Sequence, residues 1–168
     1  QVVDDVISSG FQSAGQRCSA LRVLFIQQDV ADGIIEMLKG ALKELHVGDP
    51  AWLSTDIGPV IDEKALKNLQ QHVDYLQDKA TLHYQCDIPD NAQNGAYFFA
   101  PRLYEISDLS LLKREVFGPC VHVIRYKASE LDKVIDQINA TGYGLTMGIH
   151  SRIEDRCNYL AKMSRAGN

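Results

Sequence analysis

The strongest constraint on the fold is an alternation of short, β-rich apolar segments with longer segments whose apolar residues recur every three or four positions. The first strand is predicted at 23–27, and a helix follows it from about 29 to 46. Further strands are predicted at 81–85, 97–104, 120–126 and 146–150, and further helices before Cys18, at 66–76, at 109–115, at 131–138 and after 151. This alternation is typical of an α/β fold, so we predict a mainly parallel sheet with flanking helices.

Local signals predict where several of these elements begin and end. Asp62 is placed to cap the 66–76 helix, and Ser151 with Glu154 has the spacing of a capping box for the last helix. Pro101 has no N–H, which predicts that the 97–104 strand is an edge strand or is broken there. Turn-forming residues predict that 13–16 stops the first helix and that 86–96 is a loop.

Composition bounds the class of protein. The 168 residues suit one domain, and the 45% apolar content argues against intrinsic disorder. The net charge of −5, without a block of like charges, argues against nucleic acid or anionic lipid as a partner. No stretch is long and apolar enough for a transmembrane segment, and the residues after Gln1 do not resemble a signal peptide.

The cysteines are spread too widely for a disulfide framework or a zinc site. They lie at 18, 86, 120 and 157, without a C-x-x-C pair. We therefore predict free thiols, no bound metal and a reducing, cytoplasmic location. Cys120 begins an apolar strand and Cys157 lies on an apolar helix face, so both are predicted to be core residues.

Two segments carry residue types that suit catalysis. Cys18 follows a glycine-bearing turn and a cation, Arg17, a setting that favours a nucleophilic thiolate, although a small buried hydrophobe is an alternative. Glu115 and Phe117 precede a Gly-Pro turn, where a carboxylate could accept hydrogen bonds from a ribose diol and an aromatic ring could pack on a flat ring. A surface glutamate and a core phenylalanine are the alternative interpretation there. The glycines at 142–148 have the wrong spacing for a dinucleotide loop and are predicted to stop a helix.

Together these segments resemble the aldehyde dehydrogenase superfamily. Residues 11–20, FQSAGQRCSA, are similar to its active-site cysteine motif, and 115–119, EVFGP, are similar to its second hallmark. Segments 45–50 and 56–61 resemble connecting segments of its catalytic domain, so the resemblance spans essentially the whole chain. Details of 16–20 and of 141–152 resemble the branch that oxidises L-glutamate γ-semialdehyde, above all the dehydrogenase part of bifunctional bacterial proline-utilization enzymes.

The resemblance implies a role for four residues. Cys18 would attack an aldehyde and form a thioester, with its own backbone N–H helping to stabilise the oxyanion. Glu115 would hold the nicotinamide ribose of NAD, Phe117 would lie against the nicotinamide, and Ser19 would contact the small-molecule substrate. FAD is implied only if a proline dehydrogenase domain is attached in the parent chain, and the parent enzyme is expected to form a homo-oligomer.

The same resemblance predicts that residues 1–168 are part of a catalytic domain. The family's general-base glutamate, the asparagine of its oxyanion hole and its nucleotide-binding domain would all precede residue 1. The isolated segment is therefore expected to be inactive. Two alternatives are open at this point: an aldehyde dehydrogenase with another substrate, and a non-catalytic relative that acts as a scaffold.

Overall fold

The computed structural model describes residues 1–89 and 96–168, and a four-stranded mixed sheet lies at the centre of this part of the chain. Its strands are β1 (Val23–Gln27), β2 (Ala80–Gln85), β3 (Arg102–Ile106) and β4 (Cys120–Tyr126). In the order β1-β4-β3-β2, β4 runs parallel to β1 and β3, and only the edge strand β2 is antiparallel. The predicted α/β fold with a mainly parallel sheet is confirmed.

Five α-helices accompany the sheet in the described residues. They are α1 (Val2–Phe11), α2 (Gln28–Lys43), α3 (Glu63–Leu76), α4 (Leu131–Ala140) and α5 (Glu154–Met163). Helix α2 buries Ala31, Ile35, Leu38 and Leu42, a spacing of three and four residues that places them on one face. None of these helices combines the length and apolarity that crossing a membrane requires.

Strand β4 divides the core into two layers. Its first five residues are all buried, which a strand with neighbours on both edges and helices on both faces requires. Val121 points toward Gly10 of α1, whereas His122, one residue on, contacts His72 of α3. Since successive side chains of a strand point to opposite faces, α1 and α3 lie on opposite sides of the sheet.

Several predicted ends are confirmed. The Asp62 carboxylate accepts a 2.7 Å hydrogen bond from the Ala65 N–H and caps α3. A turn at Gln12–Gly15 that includes positive φ angles stops α1, and Gly142, at φ 74°, follows the end of α4. Of the predicted loop 86–96, residues 90–95 lie outside the described part of the chain, and the remainder has no helix or strand.

The predicted strand at 146–150 is wrong. These residues are irregular, and the N–H of Met147 donates to the carbonyl of Asn168 rather than to a strand of the sheet. The apolar residues are present, but a strand forms only where it pairs with a neighbour, and these residues pair with none of the four strands. The predicted 97–104 strand begins only at Arg102, because Pro101 cannot donate to a ladder.

Three further local predictions fail. The capping box does not form: Ser151 Oγ accepts from the Ile153 N–H at 3.1 Å, and α5 begins after Ile153, which is 55% exposed. Serine hydroxyls readily bond the backbone two residues on, and that local turn competes with the cap. Cys157 is only half-buried, because Leu160 is the buried residue of α5. The helix predicted at 109–115 is instead a short 3-10 turn at Leu109–Leu111.

Gly10 offers a matched test of this packing. A methyl group at Gly10 would come within 2.5 Å of Val121 Cγ2, whereas one at Gly33 or Gly40 of α2 would meet nothing within 4 Å. Gly10→Ala should therefore lower the free energy of unfolding by about 1–3 kcal/mol. Gly33→Ala should raise it by roughly 0.5–1 kcal/mol, because alanine is the better helix former.

Both values would be measured by urea denaturation with circular dichroism detection. Adding Val121→Ala should relieve the clash and restore part of the loss in Gly10→Ala. Equal effects of the two glycine substitutions would contradict the close approach of α1 to β4.

Candidate functional site

Cys18 lies at the exposed tip of a tight turn between α1 and β1. The Ala20 N–H donates to the Arg17 carbonyl at 3.0 Å, which makes Cys18 and Ser19 the two central residues of a β-turn. Both residues are exposed, and neither backbone N–H donates to any residue in the described part of the chain. The turn thus presents a thiol, a hydroxyl and free amide donors to an incoming molecule.

The chain reaches this turn through an unusual backbone. Ser13, Ala14 and Gly15 all have positive φ, at 57°, 52° and 63°, a left-handed run that reverses the direction of α1. Ala14 and Gly15 are buried in the process. A Cβ at Gly15 would collide with the Gly118 carbonyl, so this position needs glycine for two reasons: the backbone conformation and the close approach of a second loop.

That second loop carries Glu115 and Phe117. It lies between the 3-10 turn at Leu109–Leu111 and β4, and both side chains reach solvent, Phe117 being 44% exposed. Gly118 fits against Leu69 of α3, where any Cβ would meet the leucine methyl groups at 2.6 Å. The prediction that this turn presents both side chains is confirmed, while the surface-and-core alternative fails for Phe117.

Arg22 joins the two loops. Its guanidinium donates to the carbonyls of Gly15 at 2.6 Å and Arg17 at 3.0 Å, and both Nε and Nη2 lie 3.1 Å from Glu115 Oε1. The guanidinium carbon also lies 4.7 Å from the centre of the Phe117 ring. One side chain therefore fixes the cysteine turn relative to the glutamate and the phenylalanine, which lie 93 residues or more away along the chain.

The sequence analysis missed Arg22. The signal was present: an arginine directly before an apolar strand needs partners, because a guanidinium is rarely buried alone. In the structure this side chain is 17% exposed and is fully engaged. The identity of its partners depends on which loops meet, and that information comes only from the strand order.

Arg17 does not act as the sequence suggested. Its guanidinium turns back and donates to the Ser8 carbonyl at 2.6 Å, where it satisfies a free acceptor near the end of α1. No helix begins near Cys18 either, so a helix N-terminus does not assist the thiol. What the described residues provide at Cys18 is exposure and amide donors.

Two further segments support the site. Gln16 Oε1 accepts from the Ile61 N–H at 2.8 Å, and a bridge pairs Val47 with Ile57, so both connecting segments pack behind the cysteine turn. On the other side, the Tyr143 hydroxyl accepts from the Glu115 N–H at 3.2 Å. The segment after α4 therefore contributes a contact to the second loop, which the sequence did not predict.

The other cysteines differ from Cys18 in their surroundings. Burial raises the pKa of the Cys86 and Cys120 thiols to about 12, so neither supplies a nucleophile at neutral pH. Cys157 is half-buried, with Sγ 3.7 Å from the Ser151 carbonyl. Cys18 is the exposed thiol of the set, and it directly follows Arg17, whose carbonyl accepts from Arg22.

The residues of the second loop fit a nicotinamide ribose. Both Arg22 contacts use Oε1 of Glu115, and no residue of 1–89 or 96–168 bonds Oε2, which leaves an acceptor for a sugar hydroxyl. Arg22 covers one face of the Phe117 ring, and the rest of the ring is exposed and open to a flat group. The contact with Arg22 fixes the orientation of the Glu115 carboxylate.

Comparisons with known proteins agree with this geometry. The family model described as "Aldehyde dehydrogenase family" matches residues 1–168. The chain is 46% identical over its whole length to the bifunctional protein PutA of Klebsiella aerogenes and 44% identical to that of Escherichia coli K12, of which it spans 13% in each case. A crystal structure of a Bradyrhizobium japonicum Proline Utilization A variant superposes with a TM-score of 0.93 at 46% identity, covering 99% of this chain and 17% of that one.

The contacts of Arg22 predict the effect of Arg22→Lys. An ammonium group cannot reach two carbonyls and a carboxylate together, so at least one acceptor loses its donor. The free energy of unfolding should fall by about 1–3 kcal/mol, and the Ala20 amide that closes the cysteine turn should exchange its hydrogen faster.

Arg125→Lys is the matched control. Like Arg22, Arg125 donates to more than one acceptor, here the carboxylates of Glu105 and Asp32, but it does not contact the cysteine turn. That variant should lose stability without a local change in Ala20 exchange, measured by hydrogen exchange and mass spectrometry. Unchanged Ala20 exchange in Arg22→Lys would show that Arg22 does not hold the turn.

Proposed function

Because this chain belongs to the aldehyde dehydrogenase family, we propose that it supplies the nucleophile and part of the nicotinamide site of an NAD-dependent dehydrogenase that oxidises L-glutamate γ-semialdehyde to glutamate. The observation that carries the proposal is the Arg22 bridge between the Cys18 turn and Glu115. It brings a nucleophile and a ribose acceptor to one edge of the sheet. The identity to bifunctional PutA proteins supports this substrate and a role in proline catabolism.

The chemistry of Cys18 follows from its exposure. Its thiolate attacks the aldehyde carbon, a C–S bond forms, and the carbonyl oxygen takes the negative charge. The free N–H of Cys18 is placed to donate to that oxygen, which stabilises charge where it develops. Loss of hydride from the same carbon gives a thioester, and water then breaks the C–S bond to release the acid and the thiol.

Glu115 and Phe117 orient the hydride acceptor. Bound NAD supplies the carbon that receives the hydride. Glu115 Oε2 accepts from the ribose hydroxyls, and the open part of the Phe117 ring limits where the nicotinamide can lie. Because Arg22 ties Glu115 to the cysteine turn, the distance between the reacting carbon and the hydride acceptor is set by protein contacts, which favours near-attack geometry.

Ser19 completes the proposed site. It is the other central residue of the Cys18 turn, it is exposed, and no described residue accepts its hydroxyl proton. Its hydroxyl can donate to or accept from the substrate beside the reacting carbon. We assign it to substrate binding.

Cys18→Ser tests the nucleophile in the protein that carries this chain. Turnover of glutamate semialdehyde, followed as NADH formation, should fall by roughly three orders of magnitude or more, because a serine hydroxyl is barely ionised at neutral pH. NAD binding, measured by fluorescence quenching, should be nearly unchanged.

Cys157→Ser is the control, since its thiol is also partly accessible but lies outside the site. It should keep its activity within about twofold. Near-normal turnover of Cys18→Ser would remove Cys18 from the mechanism.

Glu115→Gln tests the cofactor role. Glutamine keeps an acceptor for Arg22 but loses the charge that strengthens the ribose contact. The KM for NAD should rise by roughly tenfold, the equivalent of about 1.4 kcal/mol, with a smaller change in the KM for the aldehyde.

Glu36→Gln provides the comparison, because Glu36 is an exposed glutamate of α2 that pairs with Lys39. It should leave both KM values unchanged. If Glu115→Gln behaved in the same way, Glu115 would be an ordinary surface residue.

A further inference from the structure

Three potential metal ligands meet inside the core, beneath the site. Nε2 of His72 lies 2.8 Å from Nε2 of His122, and Sγ of Cys120 lies 3.6 Å from the same His122 nitrogen. The ligand atoms of the three residues all lie within 4.8 Å of one another. His72 comes from α3, and the other two from the start of β4, so residues 50 positions apart form the cluster.

The protonation of His122 is fixed by its other ring nitrogen. Nδ1 lies 3.0 Å from the Arg22 carbonyl oxygen, which can only accept, so Nδ1 carries the proton. The lone pair of Nε2 then points toward His72 and Cys120. A histidine whose far N–H is held by a backbone carbonyl is the usual arrangement of a metal ligand, since that bond fixes both the tautomer and the ring orientation.

We propose that His72 Nε2, His122 Nε2 and Cys120 Sγ form a binding site for one Zn²⁺ ion. A ligand set of two imidazole nitrogens and one thiolate binds zinc in preference to calcium or magnesium. The assignment reverses the sequence prediction of no metal, which considered only ligands close together in the chain.

The distances favour tetrahedral coordination by Cys120 and His122. Bonds of about 2.3 Å to sulfur and about 2.0 Å to nitrogen place the two ligand atoms about 3.5 Å apart at a tetrahedral angle, close to the 3.6 Å observed. Two nitrogen ligands should be about 3.3 Å apart, so His72 must retreat by about half an ångström from its 2.8 Å contact. His72 is only partly buried and can make that small rotation.

The proton balance is simple. Burial, reinforced by Arg114 for His72 and by His72 for His122, lowers the pKa of both imidazoles to about 4, so both are neutral at pH 7. On binding, His72 moves its proton from Nε2 to Nδ1, and Cys120 releases its thiol proton to solvent. One proton therefore leaves for each Zn²⁺ that enters.

The surroundings determine the net charge of the site. Arg22 and Arg102 lie near Cys120, and Arg114 lies near His72, all of which disfavour a bare dication. Burial raises the pKa of the Cys120 thiol and the two arginines only partly oppose that rise, so the thiol gives up its proton when the ion binds, and the thiolate then offsets one charge of the ion. The Tyr104 ring is buried and lies nearly parallel to the His122 ring, with the ring centres 6.3 Å apart.

Co²⁺ is the probe, because it adopts tetrahedral sites and its thiolate ligation gives a charge-transfer band in the near ultraviolet. The protein that carries this chain is used with Cys18→Ser and Cys157→Ser in every sample, since those two thiols are accessible. Titration should reveal a site of about micromolar affinity or tighter with this band, which Zn²⁺ then abolishes by displacement.

Matched variants assign the ligands. Cys120→Ser should lose the charge-transfer band, and His72→Gln should weaken Co²⁺ binding by about tenfold or more, because each removes one ligand. Cys86→Ser removes another buried thiol outside the cluster and should change neither property. Circular dichroism spectra check that each variant is folded. A substitution at the partly exposed His72 should disturb the fold less than one at the buried Cys120.

Two results would overturn the proposal. One is affinity of about millimolar or weaker, without a charge-transfer band, in the protein with Cys120 and His72 intact. The other is a band or affinity that is the same in His72→Gln and Cys86→Ser, which would place the metal elsewhere. Release of one proton for each ion, measured with a pH indicator, supports thiolate ligation, and no release contradicts it.

Discussion

The site depends on the contacts of the largely buried Arg22 guanidinium. Removing such a group from water is costly, and the cost is recovered only if its donors and charge find partners. Here two backbone carbonyls, one carboxylate and one aromatic face supply them. The two carbonyls belong to the cysteine turn, and the carboxylate and the ring belong to the second loop. The arrangement that satisfies Arg22 is therefore also the one that brings Cys18 and Glu115 together.

The sheet topology makes that arrangement possible. Strands β1 and β4 are parallel neighbours, paired from Val23 with His122 onward, so both strands begin at the same edge of the sheet. The cysteine turn precedes β1 and the Glu115 loop precedes β4. The two loops must therefore meet at this edge, however far apart they are in the chain. Gly15 and Gly118 allow the final approach, because each lacks the Cβ that would collide with the other loop or with α3.

Most of the individual helices, strands and caps could be predicted from the sequence, but the way they pack together could not. Strand β4, helix α2 and the Asp62 cap follow from residue patterns that operate within one element, and these predictions succeed. The predicted strand at 146–150 failed because a strand needs a neighbour, and a pattern within one segment does not reveal one. Cys18, Glu115 and Phe117 were predicted one by one. Their meeting through Arg22 required the strand order, which no single segment encodes.

Arg22 also connects the exposed site to the buried His122, and an ion bound by the cluster would not break that connection. Its carbonyl accepts from both the N–H and the Nδ1 of His122, each at 3.0 Å. The ring bond uses Nδ1, on the side of the imidazole that faces β1, whereas Nε2 faces His72 and Cys120. An ion at Nε2 would replace the bond to His72 and leave both bonds to Arg22 intact. β1 would therefore stay anchored to β4 with or without an ion, because the position of Arg22 depends on His122 Nδ1 and on the strand pairing.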